Sequence, residues 1–450
     1  MTAHMQRILQ SASEIAIEAA ISQKISAEVI QFRPRQPQKE VGVETAPTAI
    51  EVYATSLIAE NDNTPGTEQP IAPVIGSSVV IERALLTRAV EIVNNVIERR
   101  NSIPILSNIA LRGNGNTLQL IGTDLDIEIV ASVPGAADRE FGTTLPAHIL
   151  KDLLKRATAS DFVAMTTGET RDALDFERVH YDLQSLSLAD WPHMSGPAAG
   201  AFEFHLPGRA LWEGLDSTMG AISTEETRYY LNGIFLHTIE HADGAKLVMV
   251  ATDGHRLYRQ EFDAPFGSCG MPAVIVPRKT VQLLHKLMKG KSCPDDVAIV
   301  VDSSKIRISF GDIITTSKLI DGTFPDYQRV IPIHNNKRAT LHAETAMEAI
   351  RAVTLISTER GRACKYTFAP GNCRLTVSNP DSGNASADIP CDYDGEPMEI
   401  GFNASYMLAI IEDAVGNGSS VSMQLYDAAS PAVITGDRKG WTGVCMPMRV

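Results

Sequence analysis

The sequence predicts an α+β fold made of three copies of one unit, and two observations carry that prediction. The first is a strand, a turn and a helix that recur at residues 143–156, 274–288 and 399–414. Pro146, Pro277 and Asn403 stand at the same place in the three copies, at the start of each helix and about 130 residues apart. Self-similarity at a fixed period is the signature of a repeated structural unit.

The second observation is a further helix-like segment and a hairpin that precede each copy. The helix-like segments lie at residues 85–96, 210–222 and 345–356. Because a sheet needs helices to cover its apolar face, each unit is expected to fold as one α+β domain. Breaks in the pattern at residues 195–201 and 332–338 separate the units. The predicted domains are residues 77–198, 199–333 and 334–450, preceded by an extension of residues 1–76.

The extension differs from the rest of the chain in composition. Residues 5–30 have the spacing of an amphipathic helix, and from Arg33 onward six prolines interrupt a polar, acidic stretch. Such a stretch buries too little apolar surface to offset the entropy of ordering it, so we expect disorder. A wrongly assigned start codon and a partner-binding tail are both open explanations.

Residues 228–258 hold a clear hairpin signal. Two strand-like runs, 229–237 and 247–251, are joined by a polar turn that contains Asp243 and Gly244. Every residue of the second run is apolar, which predicts a strand that is buried on both faces or central to its sheet. The run ends in the small polar loop 252–256, where Gly254 permits a turn that a larger residue resists. The loop therefore presents polar groups at a rigid edge.

Composition limits the class of protein. A chain of 450 residues suits about three domains, and an apolar fraction of 44% suits ordinary globular cores. No apolar run reaches the roughly eighteen residues of a membrane helix, and no secretory segment opens the chain, so we expect a cytoplasmic protein without membrane partners. The six cysteines show no C-x-x-C spacing, which favours reduced, packed thiols.

The net charge of −14 argues against a nucleic-acid partner, because DNA-binding domains usually carry a basic stripe. The charge is unevenly distributed, however. Acidic and apolar side chains alternate along residues 124–130, which predicts a strand with acid facing solvent. The predicted helices at 148–157 and 280–291 carry basic residues instead, namely Lys151, Lys155, Arg156, Lys286, Lys289 and Lys291. Such lysines more often belong to ordinary solvated helix faces than to a DNA-binding surface.

Eight segments carry a family resemblance. They are IPILSNIAL (103–111), GTDLDIEI (122–129), RYYLNG (228–233), ATDGHRL (251–257), VIVPRK (274–279), SKLIDGTFPDY (317–327), MEIGFNASY (398–406) and MPMRV (446–450). In this order they resemble segments of the bacterial DNA polymerase III β subunit, the sliding clamp, over roughly residues 77–450. The resemblance implies a non-catalytic processivity factor without a cofactor. Two three-domain chains would close head to tail into a ring around duplex DNA, with helices lining the lumen and sheets outside.

The resemblance also implies a pocket for short peptides of the replicative polymerase, the clamp loader and other proteins with a clamp-binding motif. Carried over by position, its residues are Arg228, Leu231, Thr252, Gly254, His255, Arg256, Leu257, Pro325, Arg329, Val330, Val444, Met446, Pro447, Met448 and Arg449. Methionines adapt to different partners, while prolines provide fixed apolar walls. Two residues depart from the family pattern: Val450 replaces a common terminal leucine, and Pro431 stands where a small polar residue is frequent.

Contact with DNA is expected to be sparse and independent of sequence, because sliding needs cations that exchange phosphates without large barriers. The resemblance points to Arg100 and Lys279, and less directly to Arg99, Lys151, Lys155, Lys286 and Lys289. Glu225 and Glu226 occupy a loop that often contacts DNA in the family, where acid would repel phosphate. For the homodimer contact the resemblance indicates Tyr181 on one side and Leu355 and Ile356 on the other. Ordinary core positions are the alternative for these three.

Other function classes stay open at this stage. Asp253 and His255 at a strand end suit a hydrolase or metal site, but no second histidine at ligand spacing and no nucleophile motif completes it. Gly113 and Gly115 fit a hairpin turn better than a nucleotide loop. The residues 290–292, GKS, lack the first glycine of a phosphate loop. We therefore predict no metal and no catalytic residues. A clamp-like scaffold that no longer loads onto DNA is the other alternative.

Overall fold

The structure is a computed structural model that describes residues 75–357 and 363–450. These residues form two compact units. The first contains the described residues up to Asn94, together with Arg99–Leu120 and Ser132–Trp191. The second contains Asn95–Glu98, Ile121–Ala131 and Pro192–Val450. The helix predicted within residues 5–30 and most of the proline-rich linker lie outside the described residues.

Helices repeat along the described chain as the sequence predicts. They are α1 (Arg83–Val93), α2 (Ala147–Arg156), α3 (Gly208–Met219), α4 (Arg278–Leu287), α5 (Ala343–Val353) and α6 (Ala404–Val415). Pro146, Pro277 and Asn403 are the N-cap residues of α2, α4 and α6, which confirms the repeat position. No helix among the described residues is long and apolar enough to cross a membrane.

Nine strands lie in the described chain before residue 185. They are β1 (Ser78–Glu82), β2 (Asn108–Asn114), β3 (Thr117–Thr123), β4 (Ile127–Pro134), β5 (Ala136–Ala137), β6 (Phe141–Pro146), β7 (Phe162–Thr166), β8 (Arg171–Asp175) and β9 (His180–Gln184). A sheet contains β5, β1, β7, β8 and β9 in that order, and β2 pairs with β6. The predicted turn between β2 and β3 is confirmed, with Gly115 at a φ of +60°.

The later strands all belong to the second unit. They are β10 (Phe202–Pro207), β11 (Gly233–Ile239), β12 (Lys246–Thr252), β13 (Arg256–Asp263), β14 (Val274–Pro277), β15 (Asp296–Val301), β16 (Lys305–Phe310), β17 (Ile313–Lys318), β18 (Lys337–His342), β19 (Ala363–Ala369), β20 (Gly371–Asn379), β21 (Gly383–Tyr393), β22 (Met398–Asn403), β23 (Ser420–Leu425), β24 (Ala432–Gly436) and β25 (Trp441–Cys445).

Two sheets organise this unit. In one, β10, β15, β16 and β17 are neighbours, and β17 pairs with residues 127–131 of β4. The other has the order β14-β11-β12-β13-β25-β24-β23-β18-β21-β20-β19-β22. The middle and third repeats therefore share one sheet, joined where β13 pairs with β25. Burial of nearly all of β12 between β11 and β13 confirms the predicted central strand.

The helices of the second unit cover these sheets with their apolar faces. In α4, Val281 and Leu284 are fully buried, whereas Lys279 and Lys286 on the opposite face are exposed. This is the arrangement that a 3.6-residue period dictates for a helix on a sheet. A second, smaller cluster of apolar residues packs on the other side of β11 to β13. All six cysteines are free thiols, and four of them are buried.

Two turns of the second unit share one hydrogen-bonding pattern, in residues 123–127 and 252–256. Thr123 Oγ1 donates to Ile127 O (2.9 Å), and Thr252 Oγ1 donates to Arg256 O (2.7 Å). The aspartate that follows each threonine accepts two backbone N–H groups through Oδ1, at 2.7 to 3.0 Å. The residue that follows the aspartate has positive φ, +76° for Leu125 and +88° for Gly254.

The predicted alternation along residues 124–130 is wrong in its first half because of this turn. Residues 124–126 are not in a strand, and β4 begins at Ile127. Leu125 is 39% exposed, whereas Glu128 is 9% exposed and its carboxylate accepts the backbone N–H of Met194. Acid therefore does not line a solvent face here, and hydrocarbon does not point uniformly inward.

Two further boundaries differ from prediction. Residues 226–231 form a 3-10 helix with a kink at Arg228, so the first strand of the hairpin begins at Gly233 rather than at residue 229. Helix α4 ends at Leu287, which leaves Lys289 and Lys291 outside it, beside Gly290 at a φ of +66°. The C-cap of α4 is Met288, and Lys289 already has an extended backbone conformation.

Candidate functional site

The turn 252–256 is rigid because Asp253 binds it from within. Its Oδ1 accepts the N–H groups of His255 (2.9 Å) and Arg256 (3.0 Å). Its Oδ2 accepts from Nε of Arg256 (3.1 Å). Both carboxylate oxygens thus have structural partners, which gives Asp253 a positioning role rather than that of a base. Within the described residues, no group of three or more His, Cys, Asp or Glu could hold a metal ion.

Arg256 joins the turn to the surrounding elements. Its guanidinium donates to the hydroxyl of Tyr258 (3.1 Å) and to the carbonyl of Gly220 after α3. It also lies over the ring of Tyr406 in α6, with Cζ 4.7 Å from the ring centroid. A planar guanidinium can make these contacts at once, because it offers five donors and a flat face. Arg256 therefore fixes the middle repeat against the first turn of α6.

Arg228 borders the same turn. Its guanidinium makes two contacts of 2.7 Å with the carboxylate of Glu225, and hydrogen bonding to Arg228 lowers the pKa of Glu225. A Cβ on Gly254 would lie 2.7 Å from Nη1 of Arg228 and would displace that flexible side chain, so glycine is favoured there chiefly by its φ of +88°. Glu226 is exposed, in the 3-10 helix that contains Arg228.

An apolar floor lies beside the turn. Leu231, Leu257 and Val444 belong to one buried cluster with Phe324 and Tyr327. The last two come from the segment after β17, where the predicted residues Pro325, Arg329 and Val330 also lie. Val330 is 42% exposed, and Arg329 forms an exposed ion pair with Asp326 (2.8 Å). The segment therefore places apolar and cationic groups next to a common floor.

A buried histidine supports this segment from below. His237 in β11 is 8% exposed, stacks on Phe235 and shares a hydrogen bond with the hydroxyl of Tyr327 (3.2 Å). Burial, together with the positive charge of Arg259, lowers the pKa of His237 to about 4. A neutral imidazole is thus the form that the fold accommodates.

The C-terminal tail, residues 446–450, completes the site. The N–H of Met446 donates to His255 O, and the N–H of Met448 donates to Gly401 O, both at 2.9 Å. Met446 remains 39% exposed at the edge of the turn, and Val450 is 61% exposed. The tail therefore runs from the turn of the middle repeat to β22 of the third. Pro431, the other departure noted in the sequence, accepts a hydrogen bond from Asn335 Nδ2 (3.0 Å).

Three of the cations predicted to contact DNA have partners within their own unit. Lys279 binds the carboxylate of Asp124 and lies 3.7 Å from that of Glu98. Lys286 donates to Asn95 Oδ1 (2.7 Å). In the first unit, Lys155 forms an ion pair with Glu91 (3.1 Å). The remaining predicted cations are exposed or half-exposed on loops and helices, namely Arg99, Arg100, Lys151 and Lys289.

The residues predicted for the homodimer contact lie near free sheet edges. Tyr181 is in β9, which pairs with β8 on one side and ends its sheet. Leu355, 84% exposed, and Ile356 form a short 3-10 helix after α5. Asn379, at the end of β20, donates from Nδ2 to Ile356 O (2.8 Å). Among the described residues, positions 383–390 of β21 pair with β20 only.

Comparison with known families agrees with the repeat. Residues 78–195 match the model of the DNA polymerase III beta subunit N-terminal domain. Residues 205–326 match the central domain, and residues 328–449 match the C-terminal domain. The chain belongs to the DNA polymerase III beta subunit family. Members of this family are non-catalytic processivity clamps, so the hydrolase alternative for Asp253 and His255 is set aside.

Individual relatives are similar over most of the chain. The Beta sliding clamp of Caulobacter vibrioides is 40% identical over 375 residues, which is 83% of this chain and all of the relative. That of Escherichia coli is 32% identical over 380 residues, 82% of this chain and 99% of the relative. A solved sliding clamp from Bartonella birtlesii bound to griselimycin has a TM-score of 0.78 at 40% identity, covering 83% of this chain and 99% of that one.

Sequence reasoning did not assign several residues that contact the predicted site. Tyr406 packs on Arg256, Phe324 and Tyr327 form part of the floor, and Gly401 accepts a hydrogen bond from the tail. All four residues lie in segments that carry the family resemblance, 317–327 and 398–406, and the N-cap pattern at Asn403 places Tyr406 in the first turn of α6. The other contacts depend on tertiary structure.

Proposed function

We propose that the chain forms a homodimeric ring that encircles duplex DNA and tethers a replicative DNA polymerase, a clamp loader and other clients through a peptide pocket. One observation supports the pocket above all others. Leu257 directly after the turn 252–256, Phe324 and Tyr327 in the segment after β17, and Val444 just before the tail share one buried apolar cluster. The tail is joined to the turn by the hydrogen bond from Met446 N–H to His255 O, and Met446 and Val330 stay partly exposed. Apolar anchors flanked by a few fixed polar groups are the usual lining of a peptide pocket.

The chemistry of the rim suits several clients. Met446 and Met448 have unbranched side chains that can repack around different apolar anchors. Arg228 and Arg329 offer cationic groups at the border, each beside an acid that holds it in place. In this proposal the pocket comprises all fifteen residues predicted from the sequence, and Pro431 and Val450 modulate its depth.

Removal of residues 446–450 tests the pocket. Griselimycin, found bound to the Bartonella clamp, serves as the probe. The shortened chain should lose griselimycin binding while it sediments at the same dimer mass as the full chain. Unchanged affinity in the shortened chain would refute the pocket, whatever the oligomeric state.

The proposed ring follows from sheet edges. Among residues 75–357 and 363–450, β9 pairs on one side only, and residues 383–390 of β21 pair only with β20, which leaves sheet edges of the kind that proteins normally cover. A head-to-tail dimer would pair these edges twice, with Tyr181 near one and Leu355 and Ile356 near the other. Sedimentation equilibrium combined with negative-stain imaging tests this step. We expect twice the chain mass and a particle with a central hole, and a compact monomer would contradict the ring.

In the proposed ring the helices of the three domains, 77–198, 199–333 and 334–450, line the lumen and the sheets lie outside. Arg99, Arg100, Lys151, Lys155, Lys279, Lys286 and Lys289 would contact phosphates without reading bases. The proposed location is the cytoplasm, at the nucleoid during replication. Residues 1–76 form an extension of unassigned role in this proposal.

A scaffold that binds clients but does not load onto DNA is the second candidate. Two contacts favour it, because they occupy cations that would otherwise bind phosphate. Lys279 binds the carboxylate of Asp124, and Lys286 donates to the side-chain oxygen of Asn95. The two candidates differ in retention on circular DNA in the presence of a clamp loader. A processivity clamp remains on the closed circle, whereas the scaffold washes off.

A further inference from the structure

We infer that Gly401 is a positioning residue that fixes the C-terminal tail and, through the tail, sets the shape of the peptide pocket. This inference rests on the proposed pocket and assigns a role to a residue outside it. Gly401 lies in β22, at the end of the twelve-stranded sheet, where it pairs with Lys365 of β19 on its inner side. Its carbonyl accepts the N–H of Met448 on the outer side (2.9 Å).

The tail comes so close to Gly401 that no side chain fits between them. A Cβ at this position would lie 2.4 Å from Met448 O and 2.4 Å from Cγ1 of Val450. Carbon atoms in proteins do not approach other heavy atoms so closely without displacement of one of them. Because one of the two contacts is with a backbone oxygen, a rotamer change cannot relieve it.

The strand itself does not require glycine here. Gly401 is absent from the glycines with positive φ, so its backbone conformation is one that alanine also adopts. Glycine in the interior of a strand normally weakens that strand and often marks a close approach of another backbone. The tail is the element that makes glycine necessary at this position.

Two backbone hydrogen bonds transmit the position of Gly401 to the pocket. Met448 is fixed to Gly401, and Met446 is fixed to His255 in the turn 252–256. Only Pro447, which has a restricted φ and no N–H, lies between them. Displacement of Met448 therefore moves Met446 or breaks its bond to His255. Either change reshapes the rim where the apolar anchors of a peptide would bind.

Val450 gains a physical role from the same contact. Its two methyl groups face Gly401, at 2.4 and 2.9 Å from the position that a Cβ would occupy. The branched side chain of the last residue thus packs on the bare backbone of β22. This contact and the Met448 hydrogen bond together hold the end of the chain.

The variant Gly401→Ala tests the inference, with hydrogen exchange of the Met448 amide as the direct readout. We expect that amide to exchange at least about 10-fold faster in the variant, because its acceptor is displaced. Griselimycin affinity should fall by about 10-fold in parallel. An unchanged exchange rate would overturn the inference, and so would faster exchange with unchanged affinity.

A chain without residues 446–450 provides the matched control. In that background Gly401→Ala should leave the melting temperature unchanged, because nothing remains for the new methyl group to meet. An equal loss of melting temperature with and without the tail would show that glycine serves β22 itself, which overturns the inference. If the unmodified chain fails to bind griselimycin, the pocket assignment fails, while exchange at Met448 still decides the contact with Gly401.

Discussion

The turns 123–127 and 252–256 have the same internal hydrogen bonds but opposite surroundings. In both, a threonine and an aspartate satisfy the backbone of the turn, and the aspartate retains one oxygen for a cation. In the second turn that cation is Arg256, which belongs to the turn itself. In the first it is Lys279, which comes from α4 more than 150 residues along the chain.

The difference shows how one repeated device serves two purposes. In the second turn the outer carboxylate oxygen is held by Arg256 of the same turn, and the floor formed by Leu231, Leu257 and Val444 lies beside it. In the first turn the same oxygen binds Lys279 of α4, so this turn holds a cation that is predicted to contact DNA. The backbone pattern is shared, and the partner of the outer carboxylate oxygen sets the role.

The third residue of each turn adds a second contrast. Gly254 adopts its positive φ without strain and leaves space for Arg228. Leu125 adopts a similar φ of +76° with a full side chain, which costs roughly 1 to 2 kcal/mol. Strain is therefore tolerated in the turn that borders no predicted pocket.

Replacement of the aspartate side chain should produce the largest difference in ligand affinity between the two turns. Asp253→Ala deletes acceptors for two N–H groups and for the Arg256 guanidinium, each worth about 1 kcal/mol or more. We expect griselimycin affinity to fall by about 100-fold or more. Asp124→Ala, the matched change, should leave that affinity unchanged. Calorimetric titration of both variants makes the comparison, and equal losses would show that the turns are not functionally distinct.

Acidification should loosen the surroundings of the second turn through His237. The unfolded state takes up a proton on His237 near pH 6.5, but the folded state resists until about pH 4 because the ring is buried. Protonation of His237 therefore leaves the free energy of unfolding unchanged above about pH 6.5. Below that pH it lowers the free energy of unfolding, by about 3 kcal/mol at pH 4.

The segment 320–331 should report this loss by faster hydrogen exchange at pH 5 than at pH 7, after correction for intrinsic rates. His237→Gln has no proton to gain and should show a flat profile. A variant profile as steep as that of the unmodified chain would assign the pH dependence to other groups.

Substitution of the third residue of each turn, Leu125 or Gly254, tests whether positive φ strains the first turn. Leu125→Gly should raise stability by about 1 kcal/mol, less the entropy cost of a more flexible unfolded chain. Gly254→Ala should lower stability by about 1 kcal/mol and displace Arg228, which its Cβ would approach to 2.7 Å. Thermal unfolding of both variants measures the opposite signs, and a loss in both would contradict the account.

The smallest expected effect concerns DNA. Asp124→Asn keeps an oxygen for the backbone of the turn but removes the negative charge that competes with phosphate for Lys279. Affinity for a nicked duplex at low salt should rise by a few fold, with a steeper salt dependence. Asp253→Asn should leave DNA affinity unchanged. A fall in affinity on Asp124→Asn would mean that the carboxylate positions Lys279 for DNA.

The contrast between the turns also marks the limit of sequence reasoning. The repeat could be predicted because the helix starts at Pro146, Pro277 and Asn403 recur with a fixed period. The turn at 252–256 was visible because Gly254 marks it. The turn at 123–127 was hidden because Leu125 stands at the position that glycine normally occupies, and the alternating residues around it imitate a strand.

The candidate site shows the same limit at longer range. A family resemblance supplied its residues, but the contacts that hold them involve partners far apart in the chain. Arg256 binds the carbonyl of Gly220 and packs on Tyr406, and Gly401 binds Met448. No local pattern encodes such contacts, because each joins residues more than thirty positions apart, and the contact between Arg256 and Tyr406 also joins the middle and third repeats.

The most direct test of the account measures retention on DNA. The protein is loaded onto a nicked circular duplex with a clamp loader, separated by gel filtration at high salt, and compared before and after the circle is cut. A ring held by topology stays with the circle and leaves once a linear end exists. Equal retention on both forms, or none on the circle, would contradict the account.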